Sequence, residues 1–172
     1  EFTVYEWAPG RFYLVSAGAY ERHDHDTLYK LLPKDGSVKL NPITTRLGVL
    51  VLAGPNSRKV LQKLTSTDLS NEAFPWLSGQ SISVGHTSCH ALRVNFVGEL
   101  GFEFHHPIEQ QVALFDLLME AGREFGIKPY GIKAMSSLSI EKSYRLVPRE
   151  LSIEYSAYES GLDRFVHPNK GQ

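Results

Sequence analysis

The sequence predicts an α+β fold, in which an antiparallel or mixed sheet packs against helices. Segments that alternate apolar and polar residues, as strands do, recur along the 172-residue chain. Segments with apolar residues three and four positions apart, as in helices, lie between them. The two kinds follow one another without the regular strand-helix-strand order of a parallel sheet, and this favours α+β over α/β.

The N-terminal third is predicted to contain a hairpin, a helix and a strand. Residues 2–7 and 11–16 are rich in aromatic and β-branched residues, and Pro9-Gly10 between them indicates a β-hairpin. Residues 20–32 have rough helical spacing. Residues 47–52 form a continuous apolar run that is too short for a helix, so we expect a central strand covered on both faces.

The middle of the chain is predicted to form a short helix and three strands. Proline suits the first position of a helix, so a helix is expected from Pro55 to about residue 64. Residues 80–84 and 91–96 alternate and predict half-buried antiparallel strands. Residues 101–105 continue the same pattern, which places them in the same kind of sheet.

The strongest helical signal comes after these strands. Apolar residues recur at intervals of four, three and four positions, namely Ile108, Val112, Phe115 and Met119. This spacing predicts an amphipathic helix with these side chains on one stripe. A second helix is expected over about residues 131–145.

The composition is that of a soluble globular protein, with 42% hydrophobic and 22% charged residues. A net charge of -1 excludes broad electrostatic attraction for nucleic acid or anionic membranes. No stretch approaches the roughly 20 apolar residues of a spanning helix. The single cysteine, Cys89, excludes an internal disulfide framework. It fits a reducing compartment, either the bacterial cytoplasm or the mitochondrial matrix.

Glu103 is the main candidate for a binding residue. Alternation along its strand points the Glu103 side chain away from the side chains of Phe102 and Phe104. A carboxylate held in this way can accept paired N–H donors from a flat heterocycle such as a pterin or a guanine-like ring. The alternative is a solvated glutamate on the outer face of the sheet, and the residues alone leave both open.

Other candidate sites are weaker, and we predict no metal site. In the run His23-Asp24-His25-Asp26, residues two apart do not share a helix face. His86 and His90, on either side of Cys89, would lie about 13 Å apart in a strand, too far for one ion. No Gly-x-Gly-x-x-Gly follows a strand, so any flavin must be bound outside this segment.

Several stretches resemble a known family in order and spacing: residues 47–55, 60–65, 68–70, 140–145, 159–162 and 169–171, and above all Val97-Gly98-Glu99-Leu100-Gly101-Phe102-Glu103. Over essentially its whole length the chain resembles the folate-binding aminomethyltransferase domains fused to dimethylglycine and sarcosine dehydrogenases. It is similar more distantly to the T-protein of the glycine cleavage system and to dimethylsulfoniopropionate demethylase.

The resemblance implies a role in one-carbon metabolism. In that family a flavin domain oxidises an N-methyl amine to an iminium, and N5 of tetrahydrofolate captures the one-carbon unit as methylenetetrahydrofolate. Glu103 matches the glutamate that accepts from the pterin amino group and N3–H. Phe96 stands where relatives carry a tyrosine against the folate, and Glu1 falls at the catalytic aspartate of the T-protein. The implied cofactor is tetrahydrofolate, with FAD bound only by another part of the intact protein.

The resemblance also implies that residues 1–172 form a partial domain, without an earlier folate-domain portion, the C-terminal barrel and the flavin domain. A pocket that lacks one wall positions its ligand poorly. We therefore expect weak folate binding and no turnover from the isolated chain. Met135 and Ser139 stand where T-protein relatives carry arginines. A flavin-free aminomethyltransferase of the T-protein type and a non-catalytic module that keeps the fold remain alternatives.

Overall fold

The computed structural model describes residues 2–147 and 149–170. They divide into two compact units. The first unit contains the residues up to Asn95 together with Glu99–Lys128. The second contains Phe96–Gly98 and the residues from Pro129 onwards. The assignment of residues 1–172 to one partial domain stays a prediction.

The first unit begins with the predicted hairpin and helix. Strands β1 (Thr3–Ala8) and β2 (Arg11–Val15) pair in antiparallel fashion around the Pro9-Gly10 turn. A 3-10 turn at Gly18–Tyr20 leads into α1 (Glu21–Leu31). Both predictions are confirmed, because turn chemistry and helical spacing are local signals.

A four-stranded antiparallel sheet forms the frame of the first unit. In chain order its strands are β3 (Leu47–Ala53), β4 (Gly79–Val84), β5 (Thr87–Leu92) and β6 (Gly101–Pro107), and they lie side by side in the order β3-β6-β5-β4. One face of this sheet packs on α2 (Ser57–Gln62) and α3 (Gln111–Gly122). The core between them is apolar and includes Leu61, Phe74, Phe102, Phe104 and Leu114. The predicted α+β class with antiparallel strands is confirmed.

Three details of the first unit differ from the prediction. Strand β3 lies at the edge of the sheet, and Val51 is exposed on one of its faces, because an apolar run does not show how many faces are covered. Strand β5 ends at Leu92 and not at residue 96, and the Arg93 guanidinium donates to the carbonyl of Phe74. In α3, the stripe that contains Val112 is exposed and the one that contains Leu114 is buried.

The second unit is built around α4 (Ile132–Glu141). The buried Ser139 hydroxyl on this helix lies within hydrogen-bond distance of two backbone carbonyls, those of Met135 and Phe96. The contact with Phe96 holds the short segment Phe96–Gly98 against the helix. A 3-10 turn at Asp163–Phe165 lies near the end of the described chain. Among the residues with described positions, no helix has both the length and the apolar character to cross a membrane.

Candidate functional site

Glu103 lies in the middle of β6, opposite Val51 in β3 and Leu92 in β5. Its side chain points to the face of the sheet away from the helices, as the alternation of Phe102 and Phe104 predicts. Glu103 is only 9% exposed, unlike a solvated glutamate on an outer face. A carboxylate that is so little hydrated requires polar partners of its own.

The β1–β2 hairpin covers part of this face and brings aromatic side chains to it. The Tyr5 hydroxyl donates to the carbonyl of Gly79 at 2.8 Å. This approach requires glycine, because a Cβ on Gly79 would lie 2.9 Å from the Tyr5 ring. Trp7 lies edge-on to His90, with 3.5 Å between ring centroids. These contacts hold the inner side of the hairpin against β4 and β5.

Tyr13, His105 and Glu103 form a row of polar groups beneath the hairpin. His105 is two residues after Glu103 on β6, so both side chains lie on the same face. The Tyr13 hydroxyl lies 3.0 Å from Nδ1 of His105. Nε2 of His105 lies 3.4 Å from Oε2 of Glu103. Burial and then the negative charge of Glu103 raise the pKa of Tyr13, so its phenol stays protonated at neutral pH.

The other side of Glu103 is open and apolar. Val49 and Val51 of β3 lie on the same face, and they are 44% and 41% exposed. We call these two side chains the valine shelf. It borders the carboxylate on the side away from the hairpin. A flat ring that lies on this shelf can present its N–H edge to Glu103.

His90 is a neutral neighbour of this row. It lies opposite His105 in the strand register and its Nδ1 lies 3.0 Å from the Ser81 hydroxyl. Burial first, and then electrostatic interaction with His105 and Arg11, lowers the pKa of His90. The lowered pKa keeps His90 in its neutral form at neutral pH, so it adds no positive charge to the site.

The resemblance also assigned roles to Phe96 and Glu1, and it singled out Ser139. Phe96 belongs to the second unit and is 40% exposed, and its contact with folate stays a prediction. Ser139 is buried, and its hydroxyl lies within hydrogen-bond distance of the backbone carbonyl of Phe96. Its hydroxyl therefore contacts backbone carbonyls within the second unit. Glu1 lies outside the described residues, and its catalytic role stays a prediction.

The histidines and acidic residues elsewhere do not form a metal centre. Across residues 2–147 and 149–170, no three His, Cys, Asp or Glu side chains are grouped to hold an ion. His23 and Asp24 contact each other at the surface of α1. His86 lies in the turn between β4 and β5, and not in the strand where we expected it.

Cys89 is a buried core residue. It is 3% exposed, and burial raises the pKa of its thiol to about 11. At about pH 8 this leaves ~100-fold less thiolate than an ordinary thiol with a pKa two units lower. We expect a chromogenic aromatic disulfide to label Cys89 at least that much more slowly in the folded protein than in denaturant. Equal labelling rates would contradict the buried assignment.

A surface depression of about 410 Å³ lies on α3 and beyond its end, and it is lined by Asp116, Met119, Glu120, Arg123 and Ile127. Glu120 and Arg123 pair with each other across its surface. The depression contains neither Glu103 nor any aromatic side chain. We therefore place the candidate site at Glu103 and the valine shelf, where a buried carboxylate adjoins exposed apolar surface.

The sequence singled out Glu103 as a candidate but pointed to neither His105 nor Tyr13 beside it. The position of His105 could have been predicted, because the alternation that orients Glu103 also places residue 105 on the same face. The contact of Tyr13 could not be predicted, since Tyr13 lies 92 residues from His105 in the chain and only the docking of the hairpin brings them together.

Comparison with known proteins places the chain in a family. The chain is 42% identical to human mitochondrial dimethylglycine dehydrogenase over 171 residues, which is 99% of the chain and 20% of the relative. It is 36% identical to human mitochondrial sarcosine dehydrogenase over 152 residues, 88% of the chain and 17% of the relative. An aminomethyltransferase of Thermoanaerobacter sp. (strain X514) is 33% identical over 175 residues, 99% of the chain and 46% of the relative.

The chain thus spans about one fifth of the length of the dimethylglycine dehydrogenases that it matches. A solved structure, the heterotetrameric sarcosine oxidase from Corynebacterium sp. U-96 in complex with pyrrole 2-carboxylate, shares its fold. The TM-score is 0.60 at 22% identity, over 74% of this chain and 63% of that one. A profile of the GCVT N-terminal domain matches residues 1–170. The chain therefore belongs to the GCVT N-terminal domain family.

Proposed function

We propose that the chain is the tetrahydrofolate-binding part of a flavin-dependent N-methyl amine dehydrogenase of the dimethylglycine or sarcosine type. In this proposal the intact protein transfers a one-carbon unit to tetrahydrofolate. The observation that carries the proposal is the nearly buried Glu103 carboxylate beside the exposed valine shelf. Similarity to dimethylglycine and sarcosine dehydrogenases supports the choice of reaction.

The chemistry of the site fits a reduced pterin. Its amino group and N3–H form a pair of parallel donors, and the two oxygens of Glu103 are a matching pair of acceptors. Val49 and Val51 provide apolar contact for one face of the ring. A ring held at this edge has a defined orientation, and this orientation directs N5 toward the one-carbon unit.

Other parts of the proposal rest on the resemblance alone. They are a contact of Phe96 with the folate and a role for Glu1 near the reacting carbon. We assign amine oxidation to a flavin-binding region of the intact protein outside this chain. The partners are then the folate, the N-methyl amine and the remaining domains. The compartment is the bacterial cytoplasm or the mitochondrial matrix.

The second candidate is a flavin-free aminomethyltransferase, which the Thermoanaerobacter relative favours. The visible absorption spectrum of the purified intact protein separates the two, because only a flavoprotein absorbs near the flavin bands. A third candidate is a non-catalytic module, and the commitment of Ser139 to the fold fits it. Tetrahydrofolate binding without any turnover of N-methyl amines by the intact protein would favour this third candidate.

Replacing the candidate ligand tests the folate site. For Glu103→Gln in the intact protein we expect the Kd for tetrahydrofolate to rise about 10- to 100-fold. Hydrogen bonds to a charged group contribute ~1.5–3 kcal/mol, and the neutral amide keeps only one acceptor and places an NH2 donor at the position of the other. Isothermal titration calorimetry measures the change. Glu109→Gln is the matched control, because Glu109 is exposed at the surface. Equal Kd values for Glu103→Gln and wild type would refute the assignment.

A further inference from the structure

His105 is a buried histidine for which the proposed reaction has no role. It is 1% exposed. Its Nδ1 lies 3.0 Å from the Tyr13 hydroxyl. Its Nε2 is buried and faces Oε2 of Glu103 at 3.4 Å, but the contact does not meet hydrogen-bond geometry, so Nε2 has no hydrogen-bond partner. A buried ring nitrogen without a partner is costly, and it requires an explanation.

The neighbours of the ring determine where its hydrogen lies. A neutral imidazole carries one N–H and one acceptor nitrogen. The carboxylate of Glu103 can only accept when ionised, so it favours a hydrogen on Nε2. Nδ1 is then the acceptor, and the Tyr13 hydroxyl, which stays protonated, donates to it. The direction of donation thus runs from Tyr13 to His105 and from His105 toward Glu103.

We propose that His105 is a positioning residue, which holds the ionised Glu103 carboxylate in its ligand-binding orientation and is itself held in the Nε2–H form by Tyr13. The inference rests on the proposed function, in which the Glu103 carboxylate binds the pterin. The Nε2–H group faces one oxygen of Glu103 from the side that the hairpin covers. The remaining lone pairs are then left for the open side at the valine shelf.

The surroundings of the row agree with this direction. His90 lies beside His105 on the neighbouring strand, but its Nδ1 is engaged with the Ser81 hydroxyl. It therefore does not compete for Glu103. Tyr13 comes from the hairpin, so the docking of β1 and β2 affects the carboxylate through His105. A site supported in this way is pre-organised, and a pre-organised site loses less free energy when the ligand binds.

The first test is spectroscopic and needs no ligand. Long-range proton–nitrogen NMR correlations show which ring nitrogen of His105 carries hydrogen. We expect a hydrogen on Nε2 in the wild-type chain, and a loss of this single form in Tyr13→Phe. A hydrogen on Nδ1 alone in the wild type would overturn the inference, whatever the folate affinity.

The second test compares two replacements of similar size in the intact protein. His105→Phe removes the Nε2–H group that lies 3.4 Å from the Glu103 carboxylate. We expect the Kd for tetrahydrofolate to rise by up to ~10-fold, because this polar contact no longer orients the carboxylate. His105→Gln places an amide N–H near the position of Nε2 and should recover most of that loss. Equal weakening by both variants would indicate a purely structural role and would overturn the inference.

The two proposals fail in different ways. If Glu103→Gln binds tetrahydrofolate as the wild type does, the proposed function fails, and NMR still decides the hydrogen position on His105. If Glu103→Gln weakens binding and His105→Phe does not, the proposed function stands and the role of His105 is refuted. Tyr13→Phe provides a check if His105→Phe does not fold, because it removes only a hydroxyl. An unchanged Kd and an unchanged His105 spectrum in Tyr13→Phe would overturn the role of Tyr13.

Discussion

Phe102→Ala is expected to destabilise the first unit by ~3–5 kcal/mol, the usual range for removal of a buried phenylalanine. The Phe102 ring is fully buried in the core, and its centroid lies 5.5 Å from that of Phe74. Alanine would leave a cavity between the sheet and its neighbours. Urea unfolding measures the loss, and both tryptophans, Trp7 and Trp76, lie in the first unit and report on it by fluorescence.

Phe12→Ala is the matched control for this prediction. Phe12 lies in the same unit but on the outer side of the hairpin, where it is 57% exposed. Its truncation should change the free energy of unfolding by only about 0.5 kcal/mol, as is usual for surface substitutions. Similar losses for Phe12→Ala and Phe102→Ala would contradict the described core. They would also remove the support for the orientation of Glu103, which depends on its neighbours being buried.

Gly98→Ala is expected to destabilise the second unit by ~2–5 kcal/mol. The backbone of Gly98 has a φ of +69°, which costs other residues roughly 1–2 kcal/mol. An added Cβ would also lie 2.5 Å from Cγ and 2.7 Å from Cβ of Lys142, and overpacking of this kind costs about 1–3 kcal/mol. Native-state hydrogen exchange of the α4 amides measures the loss locally.

Gly161→Ala separates the two causes. Gly161 lies in the same unit and has a similar φ of +65°, but its nearest neighbour is the mobile end of the Arg145 side chain. This variant should therefore show only the backbone effect of roughly 1–2 kcal/mol. If Gly98→Ala lowers the stability of the second unit no more than Gly161→Ala does, then Lys142 does not constrain Gly98. The glycine of the Val97-Gly98-Glu99 stretch would then be required for its backbone angle alone.

Sequence patterns predicted the strands well where apolar and polar residues alternate along the chain. Alternation along residues 101–105 predicted strand β6 and the opposite faces of Glu103 and Phe102. The pattern failed for β3, where an apolar run suggested a central strand and the structure has an edge strand. It also failed for α3, which carries apolar residues on two stripes, and only the neighbouring sheet determines which of them is buried.

The sequence by itself determined the fold class, most of the elements and the orientation of one carboxylate, because these depend on residues close together in the chain. The tertiary structure alone decided what surrounds that carboxylate. Tyr13 reaches His105 only because the hairpin docks on the sheet, and the exposure of Val49 and Val51 depends on what packs over β3. Such contacts join residues far apart in the chain, and no local periodicity encodes them.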